Sequence, residues 1–136
     1  MGIATATPIE MLAEGASCKP NISNAGRRMR MRFGWLWAVI ALAGLTASVV
    51  LRVSWFWRAL SFVPASLAAV GFLQARRGTC VSRAAEGTFE HDDFSKTEAS
   101  VPDAARSRRA AGVIVRDTIL IGILCAGAGA ATALIR

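Results

Sequence analysis

Three apolar runs, 33–51, 59–73 and 118–135, dominate a chain otherwise rich in arginine. A water-soluble domain this small does not leave such long stretches with so few charges inside them. A helix rises 1.5 Å per residue, so a hydrocarbon core of roughly 30 Å needs about 20 residues. The first run nearly meets that length, and the third is slightly short and borrows its flanks. The second spans only with residues 53–58 at the interface, where Arg58 snorkels with its head in water. The expected fold is all-α and integral to a membrane. It comprises a transmembrane helical hairpin (33–73) and a third transmembrane helix (118–136). A basic N-terminal segment (1–32) precedes them, and a partly ordered, charged loop (74–117) joins them.

The charges sort by side. Lys19, Arg27, Arg28, Arg30 and Arg32 precede the first run. Arg76, Arg77, Arg83, Lys96, Arg106, Arg108, Arg109 and Arg116 lie between the second and the third. Only Arg52, Arg58 and Arg136 fall on the other side of a three-span chain. The positive-inside rule then puts the N-terminus and the 74–117 segment in the cytoplasm, and the 52–58 turn and C-terminus outside. A bacterial inner membrane fits this pattern. All four tryptophans, Trp35, Trp37, Trp55 and Trp57, sit near span ends, where amphipathic rings favour the interface. The net charge of +7 therefore reads as a topology signal. No nucleic-acid motif accompanies it, so no nucleic-acid partner is expected. Attraction to anionic headgroups, about 1 kcal/mol per juxtamembrane cation, explains it more simply.

Thr7, Pro8 and Glu10 have the pattern of a helix start, and Gly15 would end that short helix. Met29 and Met31 offer alternative starts that would resemble a signal peptide. The long first run and the second span close behind it argue against cleavage. The 74–117 segment turns from basic to acidic (Glu86, Glu90, Asp92, Asp93, Glu98) and back to basic. Pro102-Asp103 predicts a helix start, and that helix can continue through Arg109 into the third span. There, Gly122, Ala126, Gly127, Gly129, Ala130, Ala131 and Ala133 form small-xxx-small pairs, a surface that lets another helix approach closely in lipid. Its partner is either the chain's own hairpin or another subunit.

The stretch entering the first span carries Asn21, then Arg27, Arg30 and Gly34 in an Arg-x-x-Arg-x-x-x-Gly core, with Cys80 beyond the second span. Over residues 18–90 this resembles the small two-helix inner-membrane domain that anchors some membrane-bound rhodaneses and also occurs alone. The resemblance implies a membrane hairpin able to self-associate. Two positions depart from it. Gly26 stands where that domain usually has an acid, and Cys80 comes several residues later than its usual cysteine. No rhodanese active-site loop is present, so sulfurtransferase activity is not implied.

Of the three cysteines, Cys18 and Cys80 share the cytoplasmic side and are the thiol candidates, while Cys125 reads as a small packing residue. A reducing face disfavours a structural disulfide, leaving a transient pair, a sulfur-carrying thiol or a soft-metal site. His91, between Glu90 and Asp92-Asp93, reads as part of a solvated acidic loop. No phosphate loop, dinucleotide fingerprint or catalytic triad set is present, so neither catalysis nor a cofactor is expected. The favoured role is an anchor, scaffold or accessory subunit working by helix packing, with the lipid bilayer and other membrane subunits or a second copy as partners. The alternatives are thiol-dependent sulfur, redox or soft-metal handling, and an anionic-lipid or signalling adaptor working through 74–117.

Overall fold

The computed structural model describes residues 20–134. The short helix expected after Thr7, and Cys18, lie outside the described residues. Helix α1 (Asn24–Val50) opens on Ser23, whose hydroxyl accepts from Gly26 N at 3.0 Å and satisfies one orphan donor of the first turn. The chain reverses at residues 51–54, where Arg52 takes a left-handed φ of 51°. Helix α2 (Trp55–Ala59) and helix α3 (Phe62–Arg77) follow. Pro64 explains the break between them. It has no N–H for the Leu60 carbonyl, which instead accepts from Val63 N at 3.1 Å. Together they supply Trp55–Arg77, a 23-residue stretch long and apolar enough to cross a membrane.

Gly78 ends α3 in the left-handed region, φ 61°, with Pro20 packed where a side chain would project. Helix α4 (Val81–Glu86) leads into a hairpin of strands β1 (Thr88–Glu90) and β2 (Lys96–Glu98), antiparallel with Phe89 opposite Thr97. Helix α5 (Val101–Ala131) starts on Ser100, which caps Asp103 N, with proline in the first turn. It runs 31 residues, about 46 Å, without interruption.

The expected 74–117 loop is thus largely regular structure. Residues 74–77 complete α3, and 101–117 belong to the helix that becomes the third span. Only 78–100 lies between them, as α4 and the hairpin, so the fold is mostly helical with one small β-hairpin rather than all-α. The strands escape sequence reading because three-residue polar strands show no usable alternation.

α3 lies in the middle, with α1 on one flank and α5 on the other, while α1 and α5 barely touch. α1 and α3 meet through glycine. A Cβ on Gly71 would stand 2.8 Å from the Gly34 backbone, so the two chains approach as only glycine permits. α5 buries the seam Ser107, Ala111, Ile114, Thr118, Gly122 and Gly129, at helical spacing. Buried side chains gather at the end holding α4 and the hairpin, here called the cap. Ile114 and Asn21 are the most enclosed. Along the three apolar helices the order is inverted. Only 6%, 22% and 22% of the span windows is buried, and Leu42, Val50 and Leu124 face outward. Water would not tolerate that surface, whereas lipid would. The three helices are those of a multi-pass membrane protein by length and composition.

Candidate functional site

Asn21 organises the cap. Its side-chain oxygen accepts from Cys80 N at 2.6 Å, and its amide donates to Cys80 O at 3.2 Å. Its backbone N–H donates to Gly78 O and its carbonyl accepts from Glu90 N, both at 3.0 Å. One buried residue therefore ties α1's entrance to the α3–α4 link and to β1. Arg27 Nε donates to Ala75 O at 3.0 Å, and Arg30 Nε to Gln74 Oε1 at 3.0 Å. These bonds clamp α1 to the last turn of α3, where helix carbonyls lack intrahelical partners.

Arg30 also reaches Glu90. Its two terminal nitrogens lie 3.4 and 3.3 Å from the two carboxylate oxygens, and Arg83 Nε is 3.4 Å from Oε2. The Glu90 side chain is 3% exposed, so two guanidinium groups hold one nearly dry carboxylate. Gly26 makes room for it, because a Cβ there would run into Glu90 Oε1. Glu90 read from sequence as part of a solvated acidic loop, and its local pattern carries no signal of burial.

Cys80 is buried beside this network, its Sγ 3.2 Å from Ser82 Oγ. Burial pushes its thiol up. The Ser82 hydroxyl, the Arg83 backbone N–H and the Arg30 guanidinium together outweigh burial and hold it below the ordinary cysteine value. Cys125 is half-buried in α5, away from the cap. His91 bonds Thr97, Asp92 accepts from Ala25 N and Asp93 turns back on Ser95, so these groups do not converge. Among the described residues no cluster of three or more His, Cys, Asp or Glu side chains suits a metal.

The six juxtamembrane arginines separate into distinct roles. Arg27 and Arg30 turn inward. Arg77 pairs with Asp117 at 2.6 Å. Arg28 and Arg32 line a small surface pocket with the hairpin tip, and Arg76 lines the mouth of a groove between α1 and α5. That groove has a volume of about 500 Å³, and its floor and walls include Ala38, Ala41, Ala65, Ala69 and Ala128.

The small-residue face of α5 also divides. Gly122 packs on Phe62 and Ser66, and Gly129 lies against the Arg58 carbonyl, so their partner is the chain's own α2 and α3. Ala126, Ala130 and Ala133 are half-buried, whereas Gly127 and Ala131 point outward. Arg58 does not snorkel. It is 3% exposed, with Nε on Val53 O at 3.0 Å and one terminal nitrogen on Thr132 Oγ1 at 3.2 Å. The guanidinium pins the 51–54 turn to the end of α5.

No protein-family model, no curated protein and no solved structure matches the chain.

Proposed function

We propose that this chain is a scaffold or accessory subunit of a bacterial inner-membrane complex, with its cap and N-terminus in the cytoplasm and its C-terminus outside. The charge distribution supports the orientation. The observation that carries the role is the open groove. α1 and α5 flank α3 without closing on each other, leaving an alanine-lined trough within the apolar part of the molecule. Small residues there let a further helix, from a second copy or another subunit, approach closely. The residues behind the family resemblance fit the same reading. Asn21, Arg27, Arg30 and Gly34 all lock the hairpin, and the Glu90 carboxylate packs against Gly26, the position at which the resembled domain usually has an acid. These contacts support the reading of a packed membrane module.

Cysteine crosslinking in native membranes tests the role. Ala41→Cys and Ala128→Cys are expected to crosslink to a second chain, and Ala65→Phe, which fills the groove, to abolish the product. A strictly monomeric protein with no crosslinked partner would sink the proposal.

The state of Cys80 favours a second reading, in which its thiolate handles sulfur or redox equivalents at the cytoplasmic face. Cys80→Ser would then abolish a cellular sulfur or redox phenotype while leaving groove crosslinking intact. An unchanged phenotype removes this reading.

A further inference from the structure

Arg28 and Arg32 stand one helical turn apart on the outer face of α1, and neither has a hydrogen bond or ion pair among the described residues. Beside them lies the tip of the β1–β2 hairpin, more than sixty positions away in the chain. Ala25, Arg28, Met29, Arg32 and Phe94 together line a pocket of about 360 Å³, within the range of small-ligand sites. The tip is fixed in place. Asp92 Oδ1 accepts from Ala25 N at 3.3 Å, and the turn closes through Phe94 N on His91 O at 2.9 Å and His91 N on Ser95 O at 3.0 Å.

Phe94 is the unexpected residue of that turn. Its φ is 63°, the left-handed position that glycine or asparagine normally fills when such a turn ends in a bulge. A phenylalanine there is strained, and the residue is 49% exposed rather than packed in the cap. Met29 beside it is 63% exposed. The fold thus spends strain to hold an aromatic ring outward next to two cations that have no ion-pair partner among the described residues. Among the described residues, the acids next to Phe94 in the turn are Asp92 and Asp93. Asp92 accepts from Ala25 N, and Asp93 from Ser95 N and Oγ at 3.0 and 2.6 Å, so both carboxylates are turned onto backbone and hydroxyl donors and neither pairs directly with Arg28 or Arg32.

The depth of the pocket identifies its occupant. Arg32 directly precedes the first apolar run, and Arg28 lies about 6 Å further out along the helix. In a spanning helix that is the level of lipid phosphates, where interfacial aromatic rings also sit. We propose that Arg28, Arg32, Met29 and Phe94 form a binding site for the phosphate headgroup of an anionic phospholipid from the same membrane leaflet. The arginines hold the phosphate. Phe94 and Met29, at the same level, pack against the apolar atoms of the headgroup and glycerol region. The proposal rests on the reading of the three helices as membrane spans, and it moves the lipid contact expected of the 74–117 segment onto a composite site shared with α1.

The test uses the full chain purified in mild detergent, with native mass spectrometry of retained phosphatidylglycerol against phosphatidylcholine. The wild type is expected to prefer the anionic lipid, and Arg28→Gln with Arg32→Gln to lower that preference about tenfold or more. Arg106→Gln with Arg109→Gln removes the same charge elsewhere and is expected to change it little. Phe94→Asn suits the turn better, so it is expected to keep or raise the unfolding temperature while lowering lipid retention. A purely structural Phe94 would leave retention unchanged. Equal losses in the two arginine pairs, no loss in the first, or displacement of the lipid by equimolar inorganic phosphate would overturn the site. Alkaline carbonate extraction separates the two levels. Release of the protein defeats the membrane reading itself, whereas an integral protein blind to phosphatidylglycerol defeats only this site.

Discussion

Glu90 faces guanidinium groups from Arg30 and Arg83 with almost none of its side chain in water. Removing one partner of a buried charge cluster leaves the others uncompensated, typically at 3–5 kcal/mol. Arg30 and Arg83 keep 18% and 16% of their side chains exposed, so solvent relieves part of that. Glu90→Ala is therefore expected to cost about 3 kcal/mol, at the lower end of that range. Glu90→Gln keeps the volume and some hydrogen bonds, and its expected cost is about 1–2 kcal/mol. Denaturant unfolding in detergent, followed by circular dichroism, measures both. Equal losses would mean that shape rather than charge matters at this position. Cys80 gives a pH-dependent companion. Its folded thiol lies below its unfolded value, so the thiolate adds stability that is full above the unfolded value and fades as pH falls through the folded one. With Cys18 and Cys125 replaced by alanine, thiolate ultraviolet absorbance of the folded chain should titrate at lower pH than in denaturant. Replacing Ser82 by alanine should move the folded curve upward.

Among the helices, glycine positions divide into those that fix packing and those that do not. A Cβ at Gly71 meets backbone atoms of Gly34 and Arg30 at 2.8–2.9 Å, and one at Gly129 meets the Arg58 carbonyl at 2.7 Å. Backbone cannot step aside as a side-chain end can, so Gly71→Ala and Gly129→Ala must part the helices, at about 1–3 kcal/mol each. Gly44 and Gly127 have nothing within 4 Å, and alanine there should be neutral or stabilise the helix by up to about 1 kcal/mol. Thermal unfolding of the four variants measures the contrast, and an equal effect at Gly127 and Gly129 would contradict the packing. This split marks the limit of sequence reading. Gly127 and Gly129 both have small-xxx-small spacing, but only a facing helix decides which one is used. The same holds in the cap. Asn21, Arg27, Arg30 and Gly34 are recognisable as a pattern, whereas Ala75, Gln74, Cys80 and Glu90, which the first three bond, lie 44–60 positions further on. The start of α5 at Pro102-Asp103 is legible because capping is local, and the inward turn of Arg58 is not, because Thr132 belongs to another helix.

For the whole molecule, charge and packing point the same way. All seven acids among the described residues belong to the cap or to α3's junction with α5, where the buried Glu90 pairs and the exposed Arg77–Asp117 pair tie the elements together. The opposite end has Arg58 folded inward on carbonyl and hydroxyl oxygens, with Trp55 and Trp57 outward at 62% and 61% exposure. A cap rich in paired charges is costly to pull through a bilayer, whereas a short turn with few charges crosses easily. The turn should therefore be the translocated end. Ser54→Cys, in an otherwise cysteine-free chain, is expected to react with a membrane-impermeant maleimide added to intact cells. Ser95→Cys, at the hairpin tip, is expected to react only after the membrane is opened. Labelling in the reverse order would place the cap outside. It would also move the Arg28 and Arg32 pocket to the other leaflet, so this one measurement fixes which lipid pool the pocket meets.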